Sequence, residues 1–232
     1  MSPIQTCIKT KSTNINPIWL MRQAGRYLPE FRDIRLKNPD FIKLCLNKNL
    51  SSEITIQPLK RFAFDAAIIF SDILMLPYGL GQDVSFKKNF GPQLGEINLN
   101  DMLKKEEINF INKLNPVYKA LKITSKDKLL VNKDLIGFIG APWTLLVYMI
   151  NKISPKKGLK NFFFKDKLLI KKLLLIINKF LKVHIEQQVK NGASIIQIFD
   201  SWAGLVDEKD MSEYVYMPTL EIVNYVKSLN VP

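Results

Sequence analysis

The sequence predicts an α/β protein built on a parallel sheet, either doubly wound or a (β/α)8 barrel. Three observations carry that expectation. Short apolar runs rich in Ile and Ala, bounded by Gly, Pro or Ser, lack the alternation of a half-exposed strand and suit strands covered on both faces. Helical patterns separate these runs. The alternation recurs about every 60 residues along a chain of 232, a spacing too long for hairpins and suited to crossover units.

In chain order, the strands are expected at 18–21, 66–70, 135–139 and 194–199. Helices are expected at 39–47 and at 51–62, where Ser51-Ser52-Glu53 supplies start signals, and at 115–125. A further helix at 142–151 opens on Pro142, which a first turn tolerates. The pattern at 165–191 is the longest. It stacks Lys167, Lys171, Asn178 and Lys182 on one face, with Leu169, Leu173, Ile176, Phe180 and Val183 turned away, and reads as a solvated lysine face over a packed apolar one. The last helix is expected at 212–229. Four strands are too few for the eight of a complete barrel.

Composition narrows the class further. Hydrophobic residues make up 47% and charged residues 24%, which excludes wholesale disorder, a collagen and a disulfide scaffold. Cys7 and Cys45 have neither staple nor metal-ligand spacing. No apolar run opens the chain, and the longest uncharged stretch, 135–150, is interrupted by Gly137, Gly140 and Pro142, short of the about 20 apolar residues of a spanning helix. The expectation is one soluble, cytoplasmic domain over 1–232 with no membrane partner. The net charge of +13 comes mostly from lysine, and no basic stripe interleaves with aromatics, so no nucleic-acid partner is expected. Arginine is used differently: four of the five, Arg22, Arg26, Arg32 and Arg35, fall in one short segment.

In parallel α/β folds the ligand site gathers at the carboxyl ends of the strands. Each expected strand here runs into a polar segment: Arg22-Gln23-Ala24-Gly25-Arg26, then Ser71-Asp72, then Pro142-Trp143-Thr144 with Tyr148, then Asp200-Ser201-Trp202. Arg22 and Arg26 flank a Gly-containing turn, and guanidinium groups match carboxylate or phosphate with paired hydrogen bonds. Asp72 would be a lone carboxylate able to accept several N–H donors or to hold a cationic intermediate. Blander readings stand beside these: the arginines as surface ion pairs with Glu30 and Asp33, and Asp72 as a helix cap.

Four motifs then resemble one family. Residues 17–32, Pro-Ile-Trp-Leu-Met-Arg-Gln-Ala-Gly-Arg-Tyr-Leu-Pro-Glu-Phe-Arg, are similar to the N-terminal signature of the uroporphyrinogen decarboxylase family. Residues 65–74, 137–145 with Tyr148, and 199–204 resemble its later motifs in the same order. The resemblance implies a (β/α)8 barrel, usually a homodimer. Such a barrel removes CO2 from the four acetate side chains of uroporphyrinogen without a cofactor or a metal. It implies that Arg22 and Arg26 bind substrate carboxylates with Gln23 beside them, and that Asp72 accepts the pyrrole N–H groups. Tyr148 and Ser201 would contact side-chain acids, and Ile68, Phe70 and Phe199 would pack on the rings. Asp72 and Arg22 are the catalytic candidates.

One feature departs from the family. Its late histidine, near the eighth strand, has no counterpart here, and the only histidine, His184, lies in the long amphipathic pattern and reads as structural. The chain is therefore expected to lay down about the first four β/α units of the barrel. The competing functions are a split or inactive fragment that binds porphyrin acids or a partner supplying the other half, and a corrinoid or zinc methyltransferase on a related barrel. The last needs a His/Cys cluster that Cys7, Cys45 and His184 do not form by spacing.

Overall fold

The computed structural model describes residues 2–11, 14, 16–87, 90–156, 158–159 and 165–232. In chain order it comprises α1 (Pro3–Thr10), α2 (Pro29–Lys37), α3 (Phe41–Cys45), α4 (Lys48–Arg61), β1 (Ala66–Ile68), α5 (Met75–Leu80), β2 (Val84–Lys87), β3 (Gly91–Leu94), α6 (Leu99–Leu103), α7 (Glu107–Thr124), β4 (Asp134–Gly140), α8 (Pro142–Asn151), α9 (Lys167–Lys190), β5 (Ile195–Phe199) and α10 (Met217–Ser228).

Strands β1, β4 and β5 form a parallel sheet in that order, with Ile68 opposite Ile136 and Ile136 opposite Ile195. Each parallel strand is the neighbour of the next in sequence. That consecutive order is the one a barrel wall requires. Among the described residues the wall strands number three, not four. Segment 18–21 is not a strand and runs into a turn at Met21: Ile18, Leu20 and Met21 are each more than half exposed. Ile18 N donates to the Asp65 carboxylate at 2.6 Å and Asp65 N donates to Ile18 O at 2.8 Å, and Trp19 packs half-buried on the inner face of the sheet. The antiparallel hairpin β2–β3 lies outside the wall.

The period of two sorts the wall's side chains. Ala66, Ile68, Ile136 and Ile195 form an inner cluster with half-buried Phe138, Phe199 and Trp19. Their neighbours Ala67, Ile69, Leu135, Ile139 and Ile196 join the main core outside, against the helices. Ile4 of α1 enters the inner cluster from the amino ends of the strands. There the buried Asp134 carboxylate accepts from Ser2 Oγ, from Gln5 Nε2 at 2.7 Å and from Ser194 Oγ at 2.8 Å, which ties α1 across the bottom of the wall. Gly137 permits another tie: a Cβ there would lie 2.6 Å from Gln188 Oε1, which accepts from Phe138 N at 2.9 Å while Gln188 Nε2 donates to Phe138 O at 3.0 Å.

The lysine face of α9 is solvated at Lys167 and Lys171, as expected, but packed at Asn178 and Lys182. Lys182 and Asn178 both bond the Glu221 carboxylate at 2.6 Å, and Lys171 approaches Glu213 at 3.7 Å, so this stripe seats α10 and the turn before it. His184, on the same helix, is buried and shares a 3.0 Å hydrogen bond with the Tyr118 hydroxyl of α7, the structural role expected of it.

Candidate active site

The carboxyl end of β1 is shaped from α4. Thr55 Oγ1 accepts from Phe70 N at 2.8 Å, and Ser51 Oγ donates to Phe70 O at 2.6 Å, so two hydroxyls one helical turn apart hold both peptide groups of Phe70. The Phe70 ring packs edge-on against Phe31 and Phe41, at 5.7 and 5.8 Å between centroids. It thus sits under α2 and α3 and outside the inner cluster that holds Ile68 and Phe199. Anchored so, Phe70 sets the position of Asp72 two residues on. Asp72 is half-buried, and its Oδ1 accepts from Leu74 N at 2.8 Å. The capping alternative is therefore realised on one oxygen, as a turn into α5, and Oδ2 remains for another donor. Burial raises the Asp72 carboxyl to about 6, against the Leu74 N–H, which pulls it down.

Tyr148 of α8 comes near Asp72. Burial raises its phenol above the ordinary range, the Trp202 and Ser154 side chains draw it down, and the Asp72 charge raises it further. Its ring meets Trp202 edge-on at 6.0 Å. Beyond β5, Ser201 is exposed, while Phe199 meets Phe138 at 5.6 Å on the inner face. Asp200 turns the other way, toward α8, where Thr144 Oγ1 donates to its Oδ1 at 2.7 Å. Burial raises this second carboxyl also, with the Thr144 hydroxyl opposing.

The arginine loop is held by Gln23. Its Nε2 donates to Ala66 O at 2.8 Å, and its Oε1 accepts from Leu20 N at 3.1 Å. The loop carbonyls at Leu20 and Gly25 accept from Gln23 N and Leu28 N, and the Tyr27 hydroxyl donates to Gln23 O. Asp65 O and Ile69 N pair with β4, so the alternate residue Ala66 turns its carbonyl to the open edge of β1, and Gln23 caps it there. Gln23 is 1% exposed, so it braces the loop where the motif had suggested a ligand contact. Arg22 and Arg26 are exposed, and among the described residues neither lies within ion-pair distance of a carboxylate. The acid that might have neutralised them is engaged elsewhere: Glu30 takes Arg61 through two bonds, at 2.7 and 2.9 Å.

The structure thus gathers Asp72, Tyr148 and Trp202 at the carboxyl ends of the wall, with Ile68 and Phe199 lining the inner face below. The arginine loop is tied to the edge of β1. Thr144, Trp202 and Ser51 stood in segments the sequence marked, but the peptide groups that Thr144, Ser51 and Thr55 hold were not legible, because a helix hydroxyl shows nothing of the peptide it will meet. Among the described residues no three His, Cys, Asp or Glu side chains cluster as metal ligands, and no helix is long and apolar enough to cross a membrane.

Comparison with known proteins adds to this geometry. A family model for uroporphyrinogen decarboxylase (URO-D) matches residues 1–232. The uroporphyrinogen decarboxylase of Rickettsia felis is 43% identical over 229 residues, covering 98% of this chain and 66% of the relative. That of Campylobacter jejuni is 43% identical, covering 97% of this chain and 67% of the relative. The chain therefore spans about two thirds of the length of the curated relatives it matches. A solved methyltransferase from Methanosarcina mazei superposes with a TM-score of 0.74 at 15% identity, over 99% of this chain and 66% of that one. That likeness speaks for the fold alone.

Proposed function

The chain belongs to the uroporphyrinogen decarboxylase family, a family of TIM barrels, and from that premise we propose that it carries the acid-binding half of a decarboxylase site. The reaction removes CO2 from the four acetate side chains of uroporphyrinogen III to give coproporphyrinogen III, in porphyrin and haem biosynthesis, with no cofactor. The observation that carries this reading is Asp72: a half-buried carboxylate at the end of a wall strand with one oxygen uncommitted, beside Tyr148.

The substrate itself supplies the electron sink. Protonation of a pyrrole carbon makes a cationic iminium, which takes the electron pair released when the C–CO2 bond breaks. A second proton then fills the vacated position on carbon, and the first leaves the ring carbon to restore the neutral pyrrole, so that each CO2 lost is replaced by one proton. The Asp72 carboxylate accepts pyrrole N–H groups and stabilises the positive charge where it develops, more strongly in a half-buried site than in water. Arg22 and Arg26, free of neighbouring acids, bind substrate carboxylates, and Gln23 positions their loop. Tyr148 and Ser201 meet the side-chain acids near the reacting carbon. Ile68 and Phe199 supply apolar contact to the macrocycle, and Phe70 supports Asp72 from behind. The protein acts in the cytoplasm as one domain, without membrane or nucleic acid.

A second copy or a polypeptide carrying the rest of the barrel completes the site. The open sheet edges favour this, since Ile196 N on the outer edge of β5 already pairs with Pro232 O at 2.9 Å. The test is a fusion of this chain to the last third of the Rickettsia felis relative, supplied with uroporphyrinogen. We expect coproporphyrinogen to form. A folded fusion that yields none overturns the reading.

A further inference from the structure

The loop after β5 is fixed by α8 in a way the expected site residues do not explain. Trp202 N donates to Thr144 Oγ1 at 3.0 Å, and Trp143 Nε1 donates to Trp202 O at 2.8 Å. Two consecutive side chains of α8, both fully buried, thus hold both peptide groups of Trp202. The single hydroxyl proton of Thr144 goes to Asp200, so toward Trp202 it acts only as an acceptor. Phe70 is held at the end of β1 by the same device, through Thr55 and Ser51. A helix side chain that grips the peptide groups of a strand end fixes the residue there without occupying its side chain.

The side chain so fixed is unusual. Trp202 Nε1 is buried with no acceptor at hydrogen-bond length among the described residues, an arrangement that is costly unless another group makes use of it. Its ring meets Tyr148 at 6.0 Å and 70° between planes. Tyr148 lies four residues beyond Thr144, one turn on along the same face of α8, so one helix holds the indole and presents the phenol to it. The phenol registers the contact: burial raises its pKa, and the indole opposes that rise together with Ser154.

We propose that Trp202 is a positioning residue: pinned by Trp143 and Thr144, it turns its indole N–H to the Tyr148 oxygen and so directs the phenol's own proton toward a substrate carboxylate. The last step rests on the function proposed above, whereas the contact between the two side chains does not. A phenol oxygen that accepts from the indole and from Ser154 keeps its own proton for a ligand beside Asp72. Truncating the indole to phenyl keeps the ring and removes the N–H.

The experiment uses the whole chain labelled with 15N, whose three tryptophans give three indole N–H signals. The Trp202 signal is the one lost in Trp202→Phe. In Tyr148→Phe, which removes only the acceptor oxygen, we expect the Trp202 signal to move and the Trp19 signal to stay. Thr144→Val should move it likewise, and Thr144→Ser, which restores the hydroxyl, should return it to the native position. Titrated with uroporphyrin, Trp202→Phe should bind about tenfold more weakly than the native chain. A Trp202 signal unmoved by Tyr148→Phe, or a Thr144→Ser variant that behaves like Thr144→Val, overturns the clamp. A native chain that binds no uroporphyrin while the Trp202 signal still responds to Tyr148→Phe overturns the substrate reading instead.

Discussion

Asp72 shows what a single residue's surroundings demand. Its carboxyl is raised to about 6 by burial, so the folded state holds the proton more tightly than the unfolded chain does. Its contribution to stability is therefore full below the unfolded value near 3.8 and is lost as pH rises through about 6. At neutral pH the ionised carboxylate weakens the fold in exchange for a charge where chemistry needs one. Asp72→Asn should accordingly stabilise the chain at neutral pH by about 1–2 kcal/mol in a denaturant titration, while turnover by the completed barrel falls to background. Turnover within a few-fold of native would remove Asp72 from the mechanism. For the arginines, Arg26→Lys keeps the charge and loses the two-pronged geometry. Uroporphyrin affinity should then drop by the about 1.5–3 kcal/mol of a charged hydrogen-bonded contact, and an unchanged titration would count against the assignment. Both residues were legible because their chemistry is carried by the side chain itself. Gln23 was half legible: the motif marked it, but only the fold shows its amide spent on Ala66 and Leu20.

At the scale of elements, the sequence reading succeeded where a pattern reports local burial. Helix α8 is found at the expected bounds, and α9 within two residues of them, since long apolar periodicity has one solution. It failed where tertiary contact decides. Segment 18–21 has the composition of a buried strand, yet the edge of β1 is capped by Gln23 and not by a ladder, so Ile18, Leu20 and Met21 stay exposed while Trp19 packs inward. The hairpin β2–β3 was missed because Val84–Lys87 is only four residues long, and α7 begins earlier than read because Pro116 is carried inside the helix. His184 offers the test at this scale, because it joins α7 to α9 through Tyr118. Burial lowers its pKa to about 4 from an ordinary 6.5, so its contribution to stability is present above 6.5 and is lost as pH falls through about 4. Thermal midpoints should therefore drop across that interval. His184→Gln should be less stable than native at neutral pH and should lack most of this acid-dependent loss, about 2–3 kcal/mol in full. A His184→Gln chain with the native slope would show that the acid sensitivity resides elsewhere.

For the whole molecule, the decisive feature is that a barrel wall is only stable against its neighbours when it closes. The described residues supply three parallel strands of the eight that closure requires. Strand β1 presents one open edge, relieved at Ala66 by Gln23, and β5 presents the other, relieved at Ile196 by Pro232. On the β5 edge the Ile198 carbonyl also accepts from Gln197 Nε2 at 2.9 Å, and the open edges that remain are templates for another strand. Behind them, Phe138, Phe199 and Trp19 are only half-buried on the inner face, which adds apolar area to the incentive to associate. The same opening admits water beside Asp72, where screening would dilute the field that the proposed reaction uses. The 232-residue chain by itself is therefore expected to self-associate and to leave uroporphyrinogen unconverted. Light scattering and coproporphyrinogen formation on one sample measure both halves of that expectation. A second polypeptide that supplies the remaining wall should abolish the association and restore turnover together, because the same strand edges govern both. A compact monomer that turns over uroporphyrinogen unaided would show that three wall strands, with α1 tied across the bottom through Asp134, already shield Asp72 well enough.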